Sequence, residues 1–289
     1  MQIVERLDPL RRAVKQLRAD GPLALVPTMG ALHQGHLSLI RAARREAAHV
    51  AASIFVNPRQ FGAGEDLSAY PRPRERDLDL LREEGVSLVW APAVEEMYPA
   101  GYATNVSVSG VSEMLCGADR PGHFDGVATV VAKLFNQVRP DIAVFGEKDW
   151  QQLAVIRRMA RDLDLVRPHV DRILGAETVR EADGLAMSSR NGYLSAEERA
   201  QAAALPRAMD NAIAAIEAQG DDAAAIAKAL ADLRAALLAG GFASVDYADL
   251  RDAASLESRK ALGASPARLF VAARIGRARL IDNRPVTLR

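Results

Sequence analysis

Short apolar runs alternate, over the first 178 residues, with longer stretches in which apolar residues recur every three or four positions. Short runs are typical of buried strands, and the longer periodicity is typical of helices that cover a sheet. The predicted strands are 23–28, 50–58, 86–92 and 141–149, and the predicted helices are 8–20, 35–48, 73–85, 126–138 and 150–163. This alternation predicts an α/β fold with a parallel sheet covered on both faces.

The pattern changes in the last third of the chain, where alanine-rich helical sequence replaces the apolar runs. The helical sequence begins with a capping box formed by Ser195 and Glu198, and we expect an interruption near Pro206. The predicted elements are helices over 195–220 and 222–240 and antiparallel strands within 244–252 and 268–283. We therefore predict two domains, a larger one over 1–178 and a smaller α+β domain over 179–289.

Composition narrows the classes of function without selecting one. The 289 residues include 37 Lys and Arg and 37 Asp and Glu, so the formal net charge is zero and neither nucleic acid nor an anionic membrane is favoured as a partner. No stretch approaches the ~20 apolar residues of a membrane span, and we expect no signal peptide in residues 1–20. The single cysteine, Cys116, excludes an intrachain disulfide and is compatible with the cytoplasm, where we expect the protein.

Two of the five histidines lie three residues apart in 26-VPTMGALHQGH-36, where a predicted strand gives way to a predicted helix. A helix N-terminus offers N–H groups and partial positive charge to a phosphate, and Gly30 and Gly35 allow the backbone to approach a ligand closely. His33 and His36 would share one face of a first helical turn and donate hydrogen bonds to phosphate oxygens. Two alternatives stay open: one histidine caps the turn while the other packs, or the pair belongs to a zinc site whose further ligands the sequence does not supply.

Polar side chains also follow two other predicted strands. Asn57 and Gln60 lie at the end of the second strand, and Lys148, Asp149 and Gln152 lie at the end of the fourth. Because ligands collect at the carboxyl ends of parallel strands, these groups are candidates for one binding site, with Lys148 as a point charge for phosphate. An ordinary polar turn is the alternative at each place.

A further polar loop, 183-DGLAMSSRNGYLS-195, holds Ser188, Ser189 and Arg190 between two glycines. Hydroxyls, backbone N–H groups and one guanidinium can together wrap a triphosphate, although such a loop taken alone is more often a plain turn. Taken together with the polar strand ends, the loop favours a nucleotide-binding enzyme.

Five blocks of the sequence resemble those of the pantothenate synthetases, the family of pantoate–β-alanine ligases. In chain order the blocks are PTMGALHQGH, SIFVNPRQFG, LCGADRPGHFDGV, VFGEKDWQQL and READGLAMSSRNGYLS, and the late RLIDN also fits. The HxGH pair alone is shared by many nucleotidyltransferases and says little about the substrate. The five blocks together are specific, and they span most of the first 195 residues.

The resemblance implies a reaction, a fold and an assembly. In this family the carboxylate of pantoate attacks the α-phosphate of ATP, which gives pantoyl adenylate and pyrophosphate, and the amine of β-alanine then displaces AMP. Mg²⁺ accompanies the ATP. The implied fold is a Rossmann-like domain followed by a smaller C-terminal domain that can close over the site, usually in a homodimer.

The resemblance also implies roles for individual residues. His36 is the residue usually assigned as catalytic, and His33 and Lys148 would also act on the phosphates. The residues expected at pantoate and β-alanine are Gln60, Gln152 and Asn57. The residues expected at ATP are Met29, Gly30, Ala31, Leu32, His33, Gln34, Gly35, His36, Gly146, Glu147, Lys148, Asp149 (at the ribose hydroxyls), Val179 (through its backbone at the adenine), Met187, Ser188, Ser189 and Arg190.

Three further positions carry open expectations. Asp77 is either a magnesium contact or a solvated carboxylate on a helix, and Arg120 either borders the pocket or lies on the surface. The segment 164–180 is a few residues longer than the link usual in the family, and Ala176-Glu177 stands where a proline is common. This difference lies near the expected hinge between the domains and affects the loop geometry rather than the chemistry.

Two other functions are weaker fits to the residues. A plain nucleotidyltransferase would move AMP onto a phosphate and stop, but a phosphate acceptor favours Arg or Lys where Gln60 and Gln152 stand. A non-catalytic nucleotide-binding module would need no paired histidines beside the phosphates. We therefore expect an ATP-dependent acid–amine ligase.

Overall fold

The computed structural model describes residues 1–62, 65, 67–220 and 222–287, which divide into two compact units. The first unit comprises 1–113, 120–147 and 151–177, and the second comprises 114–119, 148–150 and 178–289. Two short segments from the first part of the chain thus group with the second unit, and one of them contains Lys148.

A parallel sheet forms the centre of the first unit. Its strands are β1 (Gln2–Val4), β2 (Leu23–Thr28), β3 (His49–Ile54), β4 (Leu88–Trp90), β5 (Ile142–Gly146) and β6 (Ile173–Ala176). The six strands lie in the order β1-β4-β3-β2-β5-β6, and all neighbouring pairs are parallel. The helices up to residue 162 are α1 (Leu7–Asp20), α2 (Gln34–Glu46), α3 (Arg74–Glu83), α4 (Val94–Met97), α5 (Cys116–Asp119), α6 (His123–Val138) and α7 (Trp150–Asp162). The predicted α/β fold with a Rossmann-like parallel sheet is confirmed.

The central strands are buried on both faces, which explains their continuous apolar sequence. Residues 23–26 of β2 are fully buried, and so is Leu88 of β4. Helix α2 contributes Ile40 and Ala43 to the core on one side of the sheet. Helix α6 buries twelve of its residues, so it is apolar around almost all of its circumference, as expected of a helix that lies inside the unit.

The second unit combines a helical layer with a three-stranded antiparallel sheet. Its later elements are α8 (Ala196–Ala202), α9 (Ala204–Gln219), α10 (Ala223–Ala239), β7 (Ser244–Asp252), β8 (Ala267–Ile275) and β9 (Ala278–Val286). The strand order is β7-β8-β9. Met209, Leu233 and Leu269 are buried in one core that the helices share with the sheet. The predicted capping box is present, with Ser195 Oγ accepting from the N–H of Glu198 and Glu198 Oε2 accepting from the N–H of Ser195.

Two strands of the parallel sheet were not predicted. They are β1 and β6, with three and four residues, and both lie at the edges of the sheet. β4 is just as short but is buried throughout, whereas β1 and β6 are mostly not buried and therefore lack a continuous apolar run. Segment 164–180, which was interpreted as a link, therefore contains a strand that pairs with β5.

Three of the predicted boundaries that differ from the structure have a clear local cause. The helical break lies at Ala203 rather than near Pro206, because a proline in the first turn of a helix loses no intrahelical hydrogen bond. Strand β3 ends at Ile54, and the following Pro58 starts a short 3-10 turn rather than continuing the predicted strand. Helix α6 begins before the predicted residue because Gly122, at φ +80°, turns the chain into it. Across the described residues, none of the helices combines the length and apolar character needed to cross a bilayer.

Candidate active site

The three polar clusters of the first unit follow three neighbouring strands. The strands are β3, β2 and β5, which lie side by side in the middle of the sheet. Their carboxyl ends carry Asn57 to Gln60, Met29 to His36, and Gly146 with Glu147 respectively. Ligands bind at this edge of open parallel sheets, so the sheet order brings together groups that are far apart in the sequence.

The two histidines fix each other at the start of α2. His33 is the N-cap, and its Nδ1 accepts a hydrogen bond from the N–H of Gly35 at 3.1 Å. The N–H of His33 in turn donates to Nδ1 of His36 at 3.3 Å. The arrangement is a capping box in which imidazoles replace the usual hydroxyl and carboxylate. Because both Nδ1 atoms accept, this hydrogen-bond network assigns the proton of each neutral ring to Nε2.

The paired rings form one polar wall at a helix N-terminus. Their centroids are 4.1 Å apart at an interplanar angle of 43°, and both residues are half-buried. His33 precedes the helix instead of lying in its first turn, so the expected shared helical face is replaced by direct ring contact. The sequence alternative that one histidine caps is therefore correct for His33. The Nε2–H groups of both rings are donors of the kind that suits an anion, and they lie at the positive end of the helix dipole.

The carboxylate of Asp77, in α3, anchors the loop between β2 and α2 through hydrogen bonds to its backbone. The residue is 1% exposed, and its two carboxylate oxygens accept hydrogen bonds from the N–H groups of Ala31 and Leu32, both at 2.8 Å. Ala31 has φ 51°, and Gly30 has φ +83° and lies so close that a Cβ there would be 2.9 Å from Asp77 Oδ2. The glycine is thus needed for the approach of a carboxylate as well as for the turn.

This geometry corrects both interpretations of Asp77. The carboxylate is not solvated, because α3 places Asp77 one turn before Leu81 on the face that both residues bury. A resident magnesium does not fit either, because both carboxylate oxygens already accept backbone N–H groups in a buried position. Within the described residues, no group of three or more His, Cys, Asp and Glu side chains is arranged to hold a metal ion, which also removes the support for a zinc site.

Gln60 is held as a hydrogen-bond donor that points at the histidine loop. Its Oε1 accepts from Nδ2 of Asn57 at 3.0 Å, and its Nε2 donates to Sδ of Met29 at 3.1 Å. Since the oxygen is fixed by Asn57, the amide presents N–H groups toward Met29. A thioether is a weak acceptor, so a stronger acceptor such as a carboxylate oxygen can replace it at little cost.

Asn57 has a different role from the substrate contact that was expected. The residue is 1% exposed, and its Nδ2 donates to the carbonyl of Gly126 as well as to Gln60. Its Oδ1 accepts from the N–H of Arg59 and from the hydroxyl of Tyr98, the latter at 2.8 Å. All four hydrogen-bonding positions of the amide are therefore used inside the protein, and Asn57 orients Gln60 rather than the substrate.

Side chains near the start of α6 also fix the turn that carries Gln60. The carbonyl of Gln60 lies 2.8 Å from Nδ1 of His123 and accepts a hydrogen bond from Arg120 at 3.3 Å. Arg120 pairs with Glu65, and this hydrogen bond holds the pKa of Glu65 below its ordinary value. A Cβ on Gly126 would overlap the carbonyl of the residue before Gln60, so only glycine lets α6 pack this closely. Arg120 therefore supports the turn instead of lying free on the surface.

The end of β5 supplies the third cluster. Gly146 is half-buried, and a Cβ there would meet only a methyl of Leu39 at 3.9 Å, so the position is open on its other sides. Gln152 lies in the first turn of α7 and is half-buried, whereas its neighbour Gln151 is buried and donates to the carbonyl of Val111. The role of Gln152 at the substrate stays a prediction.

The remaining candidate residues belong to the second unit. Lys148 and Asp149 lie in a 3-10 turn, with Lys148 Nζ 3.8 Å from Asp149 Oδ1. The N–H of Met187 donates to the carbonyl of Val179 at 3.0 Å, which closes the base of a hairpin. Ser188 at its end caps a short helix over Ser189–Tyr193 through the N–H of Arg190. The hairpin thus presents the two serines and the arginine together.

Sequence reasoning missed the residues that fix the site from a distance: Asp77 as an anchor, and Tyr98 and Gly126 behind Asn57. One signal was available for Asp77, because it lies four residues before the apolar Leu81 and so shares its helix face. No comparable pattern marks Tyr98, whose contact with Asn57 spans 41 residues.

Comparisons with known proteins show which family and which fold this chain resembles. The family model described as pantoate-beta-alanine ligase matches residues 2–285. The pantothenate synthetase of Novosphingobium aromaticivorans is 68% identical over 284 residues, which cover 98% of each chain. The crystal structure of pantothenate synthetase from Thermus thermophilus superposes with a TM-score of 0.90 at 48% identity, and 99% of each chain is covered. The pantoate–β-alanine ligase from Francisella tularensis, complexed with β-γ ATP and β-alanine, has a TM-score of 0.81 at 30% identity, with 99% of this chain and 97% of that one covered.

Proposed function

Because the chain belongs to the pantoate–β-alanine ligase family, we propose that its strand-end clusters catalyse the ATP-dependent condensation of pantoate with β-alanine. The reaction gives pantothenate, AMP and pyrophosphate through a pantoyl-adenylate intermediate. The observation that carries the proposal is the pairing of two imidazole donors with an amide that is fixed as a donor, at the ends of the adjacent strands β2 and β3.

In the first step, an oxygen of the pantoate carboxylate attacks the α-phosphorus of ATP, and the bond to the bridging oxygen of pyrophosphate breaks. Negative charge grows on the pyrophosphate as it leaves. Donors fixed in advance at the place where charge develops stabilise the transition state more than the bound substrate. We assign this role to the Nε2–H groups of His36 and His33 and to the ammonium of Lys148.

In the second step, the amine of β-alanine attacks the acyl carbon of the adenylate, loses a proton, and expels AMP. The acyl group must stay in place between the two steps. Gln60 and Gln152 suit this task, because amides bind hydroxyl and carboxylate oxygens without titrating near neutral pH. The anchoring of Gln60 by Asn57 limits its rotation, so less conformational entropy is lost when pantoate binds.

The nucleotide assignments are part of the same proposal. In the first unit we assign to ATP the backbone and side chains of Met29 to His36 and of Gly146 with Glu147. In the second unit we assign Lys148 and Asp149, with the carboxylate of Asp149 at the ribose hydroxyls, Val179 at the adenine, and Met187 to Arg190 at the phosphates. The hairpin that ends in Ser188 supports the last assignment, because it groups hydroxyls and a guanidinium.

Mg²⁺ is proposed to arrive with ATP as part of the substrate. Asp77 does not fit a resident ion, since both its oxygens are engaged, so no step is derived through a protein-bound metal.

We also propose that the protein is a cytoplasmic homodimer. The assembly is proposed from the family likeness alone, and the single cysteine is compatible with the cytoplasm. Light scattering of the purified protein checks the assembly.

The test separates the two steps. With pantoate and ATP alone, we expect one equivalent of pyrophosphate and a bound pantoyl adenylate, and β-alanine should then release AMP and pantothenate together. ATP with β-alanine but without pantoate is the control and should release no pyrophosphate. AMP release without an amide product would overturn the ligase proposal, and transfer of AMP to a phosphate acceptor would support a plain nucleotidyltransferase instead.

A further inference from the structure

Strand β9 carries two buried polar residues in succession, Asp282 and Asn283. They are 2% and 3% exposed. Successive side chains of a strand point to opposite faces of its sheet, so the two residues reach different parts of the second unit. Buried polar groups require partners, and one partner of each residue lies more than 100 positions away in the sequence.

Asn283 fixes the short segment that contains Lys148. Its Nδ2 donates to the carbonyl of Lys148 at 3.0 Å, and its Oδ1 accepts from Nε of Arg268 at 2.8 Å. The guanidinium of Arg268 lies over the ring of Trp150, 3.7 Å from the centroid. The indole of Trp150 also donates to the carbonyl of Ala253 at 2.7 Å. The residues on both sides of Asp149 are therefore held by the sheet of the second unit.

Asp282 fixes the hairpin that leads to the serine–arginine loop. Arg180 binds both of its carboxylate oxygens, at 2.6 and 2.9 Å, and the same guanidinium donates to the carbonyl of Gly184. This pair lies directly beside the base of the hairpin, where the N–H of Met187 donates to the carbonyl of Val179. A bidentate pair restricts the guanidinium to one orientation, so the hairpin is fixed in direction as well as in distance.

We propose that Asn283 and Asp282 are positioning residues for ATP, which fix Lys148 and the loop over Met187–Arg190 from one strand. The inference rests on the proposed function, because it takes both segments as ligands of the phosphates. Neither residue touches the nucleotide in this proposal. The two anchors are consecutive residues of β9, so neither segment can shift without disturbing that strand. The proposed phosphate donors therefore keep a fixed spacing before ATP binds.

A positioning role differs measurably from a merely structural one. If the amide of Asn283 were merely structural, its removal would lower the stability of the unit but leave the affinity of the folded protein for ATP unchanged. A positioning amide acts through the ammonium of Lys148. Its removal should therefore weaken ATP binding only while that ammonium is present, and a double-mutant cycle detects this dependence.

The first experiment is calorimetric titration of the full chain with ATP in magnesium buffer, without pantoate. We expect Lys148→Ala to weaken binding by roughly 10- to 100-fold and Asn283→Ala by roughly tenfold. The double variant should bind within about twofold of Lys148→Ala alone. Multiplied losses in the double variant, or an unchanged affinity for Asn283→Ala, would overturn the role of Asn283.

The hairpin is tested in the same way. Arg180→Lys keeps the charge opposite Asp282 but loses the bidentate fork, and it is milder than removing a buried carboxylate. We expect it to weaken ATP binding several-fold in the parent and by less than about twofold in an Arg190→Ala background. Equal losses in both backgrounds would remove Asp282 from the proposal.

Two further variants distinguish the positioning effect from a loss of folding or stability. Asn283→Asp keeps the volume and the acceptor for Arg268 but replaces the donor to Lys148, so it decides the question if Asn283→Ala fails to fold. Leu233→Ala, a core truncation in α10, is the control for general destabilisation and should leave ATP affinity within about twofold. The titration measures ATP binding alone, so a parent protein that binds ATP but makes no pantothenate would refute the proposed function and still test the positioning role.

Discussion

The loops after β2 and after β5 are both proposed to bind phosphate, yet their backbones are fixed by opposite chemistry. After β2, a charged group that only accepts, the carboxylate of Asp77, takes two backbone N–H groups. After β5, a neutral amide that donates, Asn283, binds one backbone carbonyl. The first anchor comes from the same unit as its loop, and the second comes from the sheet of the unit with which Lys148 groups.

The difference follows from what each backbone leaves unsatisfied. A chain entering a helix has surplus N–H groups, and the loop before α2 has two more that point at α3, so an acceptor is needed. The segment around Lys148 offers a carbonyl, so a donor is needed. A neutral donor also adds no negative charge beside the ammonium that is proposed to bind phosphate. The negative charge of Asp77, in contrast, is stabilised by the two backbone N–H groups that donate hydrogen bonds to it.

The largest expected effect is the loss of an imidazole from the first loop. His36→Ala removes an Nε2–H donor at the proposed position of the leaving pyrophosphate, and we expect adenylate formation to slow by roughly 10²–10³. Rapid-quench measurement of pyrophosphate gives the rate. Arg41→Ala, an exposed position on the same helix, is the matched control and should stay within a factor of two. A His36→Ala rate equal to that of the control would show that the capping geometry serves only the fold.

The second-largest expected effect comes from changing Asp77, the charged anchor of the first loop. Asp77→Asn keeps one oxygen but turns an NH₂ group toward a backbone N–H, so one buried donor loses its acceptor. We expect the free energy of unfolding in urea to fall by about 1–3 kcal/mol, together with weaker ATP binding. Asp79→Asn changes an exposed carboxylate on the same helix and should cost less than about 1 kcal/mol. Equal costs for the two variants would mean that the loop holds its shape without Asp77.

These anchors also mark the limit of what the sequence can predict. Hydrophobic periodicity located the long buried elements, because burial imposes a pattern on every residue of a strand or helix. The edge strands β1 and β6 are mostly not buried and therefore carry no such pattern, whereas the equally short β4 is buried and was predicted. The residues proposed to bind the substrates were singled out in the sequence because they follow strands. Asp77 was misassigned and Tyr98 was missed, since each acts on a residue more than 40 positions away and its pairing exists only after folding.

The smallest expected effect concerns the turn after β3, where a neutral anchor is itself supported by one hydroxyl. Burial raises the pKa of Tyr98 well above its ordinary value, so the phenol stays protonated and donates to Asn57 throughout the physiological range. Tyr98→Phe removes this donor, but Asn57 Oδ1 keeps the N–H of Arg59 as a partner. We therefore expect a loss of only about 0.5–1.5 kcal/mol in stability.

Substrate kinetics distinguish this hydroxyl from an ordinary contribution to packing. Because Asn57 orients the amide of Gln60, Tyr98→Phe should raise the KM for pantoate by a few-fold and leave the KM for ATP unchanged. Tyr102→Phe is the matched control, since its ring packs edge-on against Tyr98 at 5.0 Å and it loses the same atom. A parallel change in both Michaelis constants, or the same change in the control, would mean that the ring cluster supports the unit as a whole. A change confined to pantoate would show that a neutral anchor transmits orientation along a chain of hydrogen bonds, as is proposed for Asn283 after β5.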